Sequence, residues 1–315
     1  MIELLANSLV PIFVGLIFGY AAGLRKVVDN RAVKTLVSFL MTFALPCYLF
    51  VTMAGTPRQL LWDQAKPALA FAIVYLALFV ASYYASRHLL KDTAANSAVL
   101  ALTLGFPNAA AVGIPLLLAV YGPRASVTVA VALAVGAITI TPFTLAILES
   151  GTSAERTLSH AARIRASLRS AIKNPVFWAP LLGVVIAVVQ FHMPVYVEKG
   201  LTILGAATEG TALFVTGLIV SAQRFTLHWS AACAVLAKNV IQPALCLAVM
   251  FPLAIPLEQT RYVVLLSAIP CGFFGILFGE GFNATPEVAS SSLIASTVLG
   301  IFTLAGWIVF LDHLH

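Results

Sequence analysis

The sequence predicts an all-helical integral membrane protein of about ten spanning helices, arranged as two inverted five-helix repeats. Three observations lead there. Of 315 residues, 61% are hydrophobic and only 10% are charged, with a mean hydropathy of +0.99, whereas a soluble domain carries about 25% charged residues. The apolar residues fall in runs of bilayer length. Finally, several features recur at a single offset between the two halves of the chain.

The runs lie at 4–23, 35–55, 67–86, 95–121, 125–148, 175–191, 199–221, 229–251, 261–280 and 288–311. At roughly 1.5 Å rise per residue, about 20 residues cross a hydrocarbon core of about 30 Å. Glu3 is the only charge before run 1, so no basic segment precedes it and no cleavable signal peptide is expected. Short connections between the runs leave little room for a soluble domain.

Run 4 holds the most informative stretch, Gly105-Phe106-Pro107-Asn108-Ala109-Ala110-Ala111-Val112-Gly113-Ile114-Pro115. Proline lacks a backbone N–H and clashes with the preceding turn, so a break is expected at mid-span. Broken backbone in lipid strands polar groups at several kcal/mol each, unless protein or a watery cavity satisfies them. Such a break is therefore a candidate binding site. Run 9 carries a second one, Ser267-Ala268-Ile269-Pro270-Cys271-Gly272.

The longest polar stretch, Ser150 to Lys173, divides the runs five and five. Residues 1–150 form a first repeat, 151–173 a basic linker and 174–315 a second repeat. In the linker, Arg156, Arg163, Arg165 and Arg169 alternate with Leu158, Ile164 and Leu168. That pattern suits either an amphipathic helix on the inner leaflet or a plain topology-setting linker. Leu49-Phe50-Val51-Thr52 recurs as Leu213-Phe214-Val215-Thr216, and 213 − 49 = 164. At the same offset Pro11 matches Pro175, and 107 + 164 = 271, beside Pro270. Five runs per half is an odd number, so the second half must run inverted.

Basic residues set the orientation. Arg25, Lys26, Arg31, Lys34, Arg87, Lys91, Arg156, Arg163, Arg165, Arg169, Lys173 and Arg224 collect on one side. Arg58, Lys66, Arg124, Lys199 and Arg261 lie on the other, 12 against 5. The richer side is expected to be cytoplasmic, which puts both termini outside a plasma membrane, a bacterial inner membrane on this reading. The same placement accounts for the net charge of +6 and the pI near 9.3 without a nucleic-acid partner.

Ionisable residues at membrane depth are scarce. Lys238, within Ala237-Lys238-Asn239-Val240-Ile241-Gln242-Pro243 of run 8, costs roughly 2.5–3.5 kcal/mol at helix centre. It can attract an anionic substrate, stand as a fixed charge where another carrier binds a cation, or pair structurally, for instance with Glu209. Glu209 is the only carboxylate near the middle of a run, a candidate proton carrier or a buried bonding partner. Asn108 offers donors for a carboxylate, or an N-cap for the second half-helix. The free N–H groups of that half-helix attract anions in either case. Ser267 and Cys271 flank the other break and are candidates of the same kind.

Enzyme signatures are missing: there is no HExxH, GxSxG, Walker loop or EF-hand spacing. The cysteines Cys47, Cys233, Cys246 and Cys271 lie in apolar runs without CxxC spacing, so neither a metal nor a cofactor is expected.

The whole chain resembles the auxin efflux carrier family, and within it the bacterial carriers of malonate and other organic acids. The match lies in Gly105-Phe106-Pro107-Asn108 followed by Gly113-Ile114-Pro115-Leu116, in Asn174-Pro175, in Lys238 with Pro243, in Pro270 and in Ser296-Thr297. The resemblance implies a fold similar to that of bile-acid sodium symporters. Spans 1, 2, 6 and 7 would form a scaffold and often a dimer interface. Spans 3–5 and 8–10 would move as an elevator, with spans 4 and 9 crossing at Pro107–Asn108 and Pro270. Two departures stand out: the linker is far shorter than in plant auxin carriers, and Glu209 puts an acid in a scaffold helix.

The expected function is secondary transport of a small carboxylate, malonate or a similar dicarboxylate first. The anion would be held by Asn108, the half-helix N-termini and Lys238. A sodium-coupled carrier of larger amphipathic acids, a non-transporting sensor and a channel are the alternatives.

Overall fold

The structure, a computed structural model, describes residues 2–28, 30–150, 175–223, 226 and 228–314. The linker at 151–173, with its amphipathic-helix reading, lies outside the described residues. The described residues are helical and contain no strand, only one isolated antiparallel bridge between Pro107 and Cys271.

In chain order, α1 spans Ile2–Leu24 and α2 Asn30–Phe39, which continues through a π turn at Leu40–Ala44 into α3, Leu45–Ala54. A short α4 (Arg58–Asp63) leads into α5 (Ala65–Ala85) and a second π turn at Ser86–Leu90. The broken run 4 is α6 (Ala94–Gly105), then a π turn at Ala109–Gly113 and α7 (Ile114–Tyr121). Beyond it lie α8 (Ser126–Ser150), α9 (Pro175–Val188) and α10 (Val195–Ala222). Run 8 is α11 (Trp229–Leu236), a π turn at Ala237–Ile241 and α12 (Gln242–Met250). The broken run 9 is α13 (Leu257–Ala268) and α14 (Phe274–Gly281), before the closing α15 (Glu287–Asp312).

Among the described residues, seven helices are long and apolar enough to cross a membrane. The three remaining predicted runs are the two broken ones and the short α9. Hydropathy located every run but not every helix end. Helix α10 starts at Val195 rather than 199, and α13 at Leu257 rather than 261, because both continue past charged residues into the interface.

Three of the four π turns share a cause. They end at Ala44, Gly113 and Ile241, each two residues before a proline, Pro46, Pro115 or Pro243. A proline ring clashes with the carbonyl four residues back and gives it no N–H, and the wider turn makes room for the ring. For Pro243 that carbonyl belongs to Asn239 (243 − 4 = 239), and the Trp307 indole N–H donates to it at 3.0 Å.

Glycines bring α1 against α10, and α9 against α3, into backbone contact. Gly15, Gly19 and Gly23 recur every fourth residue on one face of α1, against α10. A Cβ on Gly19 would stand 2.0 Å from the Phe214 carbonyl oxygen, and one on Gly217 would stand 2.1 Å from that of Leu16. Small residues at this spacing let membrane helices pack backbone to backbone. A Cβ on Gly183 of α9 would likewise stand 2.6 Å from the Phe50 carbonyl of α3. The two contacts are offset mates, since 214 − 50 = 164 and 183 − 19 = 164. Helices α1, α9 and α10 turn large apolar side chains outward, Phe18, Leu182 and Ile203 among them. The break regions of runs 4 and 9, by contrast, are wholly buried.

A candidate binding site where two broken helices meet

Both breaks follow from proline chemistry. Helix α6 stops at Gly105 and the chain runs extended through Phe106, at φ −105° and ψ 103°. Helix α13 stops at Ala268, and Ile269 is extended at φ −63° and ψ 157°. The two extended pieces pass antiparallel, bridged at Pro107 and Cys271. The Asn108 amide donates to the Pro270 carbonyl at 3.0 Å, and the Gly272 amide to the Thr103 carbonyl at 3.1 Å. Each break therefore supplies hydrogen bonds that lipid cannot give the other. The approach is close enough to require a glycine: a Cβ on Gly272 would lie 2.2 Å from the Phe106 carbonyl oxygen. Aromatic rings surround the crossing, with Phe106 and Phe274 at 5.4 Å and Phe106 and Tyr75 at 6.0 Å between centroids.

Run 8 holds the two helix ends that the breaks create. The last carbonyls of a helix have no internal partner. Lys238 is fully buried, and its Nζ donates at 2.8 Å to the Ser267 carbonyl in the last turn of α13. A cation there also complements the negative end of the helix dipole. Four residues on, the Gln242 amide donates at 3.2 Å to the carbonyl of Gly105, where α6 ends. The neighbouring Asn239 is fixed by α15. Its Nδ2 donates to the Ser296 carbonyl and the Thr303 hydroxyl, both at 3.2 Å. Its Oδ1 accepts from the Ser296 hydroxyl at 2.6 Å, and that hydroxyl accepts from the Cys271 amide at 3.0 Å. Ser267 also donates its hydroxyl to the Cys246 sulfur at 3.3 Å.

The structure thus brings Pro107, Asn108, Lys238, Ser267, Pro270 and Cys271 to one buried crossing. Glu209 does not join it. It lies half-buried on α10, a turn beyond Gly205, which packs on the backbone of Tyr48. The Lys238–Glu209 pairing is not formed, since the lysine is spent on Ser267. Nor is the Asn108 N-cap: its side chain makes no cap bond to the half-helix it precedes. Instead its Nδ2 donates to the Thr216 hydroxyl at 3.2 Å. Sequence reasoning assigned no role to Gln242, Asn239 or Thr216. The signals available were a polar trio, Lys238, Asn239 and Gln242, within five residues of an apolar run, and Thr216 closing the repeated tetrapeptide.

Comparison with known proteins agrees with this picture. A family model described as membrane transport protein matches residues 4–308. The chain is 28% identical to the uncharacterized transporter YfdV of Escherichia coli (strain K12), over 98% of both chains. Auxin efflux carrier component 8 of Arabidopsis thaliana is 26% identical over 46% of this chain and 41% of that carrier. Auxin efflux carrier component 3a of Oryza sativa subsp. japonica is 26% identical over 42% of this chain and 23% of its own length. The chain, a multi-pass membrane protein, belongs to the membrane transport protein family, that of the auxin efflux carriers.

Proposed function

We propose that the protein is a secondary carrier of a small organic anion, malonate or a similar carboxylate first, working by an elevator-type alternation. The observation that carries the reading is a buried crossing of two broken helices that holds the Lys238 amine and an uncapped helix N-terminus after Asn108. Both attract an anion. Ten spans in two inverted repeats, 1–150 and 174–315 about the basic linker, suit this function. The offset of 164 supports that repeat twice over: in the mated contacts Gly19–Phe214 and Gly183–Phe50, and in Pro107 bridging to its own offset mate Cys271. A residue that touches its repeat equivalent sits on the pseudo-twofold axis. Spans 1, 2, 6 and 7 would be the scaffold, with outward apolar faces for lipid or a second copy. Spans 3–5 and 8–10 would carry the site.

Proteoliposome flux tests this directly. Uptake should saturate and show counterflow across a panel of mono- and dicarboxylates, whereas linear, non-exchanging flux marks a channel and no flux at all a sensor. Run across pH, the same assay addresses Glu209. Its place away from the crossing leads us to expect an unchanged pH profile in Glu209→Gln, and a lost pH dependence would restore it as the proton carrier.

The orientation of 12 basic residues against 5 gives a second expected result. In a background freed of native cysteines, a thiol at position 160 should react only with reagents that enter the cytoplasm, and one at 314 from outside. Labelling of both from one side overturns the ten-span model, which places five spans between them.

A further inference from the structure

Three buried polar atoms at the crossing have no hydrogen-bond partner, Asn108 Oδ1, Gln242 Oε1 and the Tyr75 hydroxyl, and Asn108 is the one that stands at the uncapped half-helix. Asn108 is 1% exposed and its Oδ1 has no hydrogen-bond partner. The neighbouring bonds fix which end of the amide is left over. The single proton of the Thr216 hydroxyl goes to the Ala212 carbonyl at 2.7 Å, so towards Asn108 that hydroxyl can only accept. The Asn108 nitrogen must therefore face Thr216, which leaves the oxygen as the end without a partner. A buried acceptor left unpaired is costly, and native structures keep few of them. It calls for a donor that the chain does not supply.

Donors sit beside it. In the half-helix Ala109–Tyr121, the Ala109 amide bonds the Pro107 carbonyl, while those of Val112 and Gly113 bond that of Asn108. The N–H groups of Ala110 and Ala111, in the uncapped first turn, have no intrahelical partner. The site thus offers N–H groups for a carboxylate and, two or three residues back, a side-chain carbonyl oxygen for an O–H or N–H.

Building on the carboxylate reading above, we infer that the preferred substrates are 2-hydroxy acids, whose hydroxyl donates to Asn108 Oδ1 while the adjacent carboxylate meets the Ala110 and Ala111 amides. A 2-amino acid has the same spacing, but its ammonium is repelled by the Lys238 cation. That cation holds Ser267, three residues before the Pro270 that bonds Asn108. A plain carboxylate leaves the acceptor empty.

Matched pairs test the inference on the purified full chain in detergent: 2-hydroxymalonate against malonate, and lactate against propionate, by calorimetry. The hydroxy acid of each pair should bind about tenfold tighter. In Asn108→Leu, which keeps the volume and removes the acceptor, the two members of each pair should bind alike. Equal affinities in the unaltered protein overturn the inference and leave the carboxylate reading standing, a result that needs no variant to fold. A hydroxyl preference that survives in Asn108→Leu overturns the assignment to Asn108. Binding of no acid at all overturns the carboxylate reading, and the inference with it.

Discussion

Gly272→Ala is expected to abolish saturable transport and to lower the melting temperature, while Gly281→Ala changes neither. The added methyl of the first variant would lie 2.2 Å from the Phe106 carbonyl oxygen, far inside contact distance, whereas Gly281 has nothing within 4 Å. Flexible side chains yield to such a clash, but a carbonyl in the crossing is held on both sides. The Asn108–Pro270 and Gly272–Thr103 backbone bonds tie the two breaks together, so relief for one means loss for the other. Overpacking typically costs 1–3 kcal/mol and occasionally more, and breaking a buried bond adds about 1 kcal/mol. A fall in melting temperature of roughly 5–10 °C in detergent follows from such a sum. Fluorescence-detected size exclusion after a heating series reads it. An unchanged melting point for Gly272→Ala would mean that the two extended segments do not touch.

Lys238→Met should fold, and should change which acids the protein holds. The substitution keeps most of the side-chain length and removes a buried charge, so the desolvation penalty of the ammonium disappears along with its bond to the Ser267 carbonyl. Melting should shift little. Affinity is another matter, because the attraction of a fixed cation scales with ligand charge. A dicarboxylate should therefore lose more than a monocarboxylate of similar size, by about tenfold or more in the ratio of their Kd values. Calorimetry on a matched pair gives that ratio. Equal losses for both would leave the lysine a cap on α13 and nothing else.

Much of this arrangement was legible beforehand, and for clear physical reasons. Lipid imposes a length on every apolar run, so the runs announce themselves. Proline can break a helix at mid-span, and the chain leaves its helices beside Pro107 and Pro270 where expected, whereas Pro142 sits inside the unbroken α8. The contact between α1 and α10 rests on glycines at 15, 19 and 23, a spacing that sequence reasoning passed over because the apolar runs alone do not single it out. Other parts were out of reach. Gln242 is one amide in an apolar run until Gly105, 137 residues earlier, comes to lie beside it. Asn108 was read as a donor because its residue type has donors to give. Which end of the amide is left free depends on where the Thr216 proton goes, a detail fixed by the turn of a distant helix. Hydropathy also misjudged the starts of α10 and α13, since it measures depth in lipid and not hydrogen bonding.

The bond from Lys238 to Ser267 also bears on how the protein is made. The two residues are 29 positions apart, the lysine first. Synthesis at about 5–20 residues per second leaves an interval on the order of seconds between them. The same interval separates their emergence from the ribosome, and throughout it the lysine stands in a segment bound for lipid while the carbonyl it will bond has yet to emerge. Entering the bilayer alone in that state costs roughly 2.5–3.5 kcal/mol. The helix Trp229–Met250 is thus better retained at the insertion machinery until Leu257–Ala268 has followed. The two then leave for the membrane as a pair, with the charge already bonded to its carbonyl.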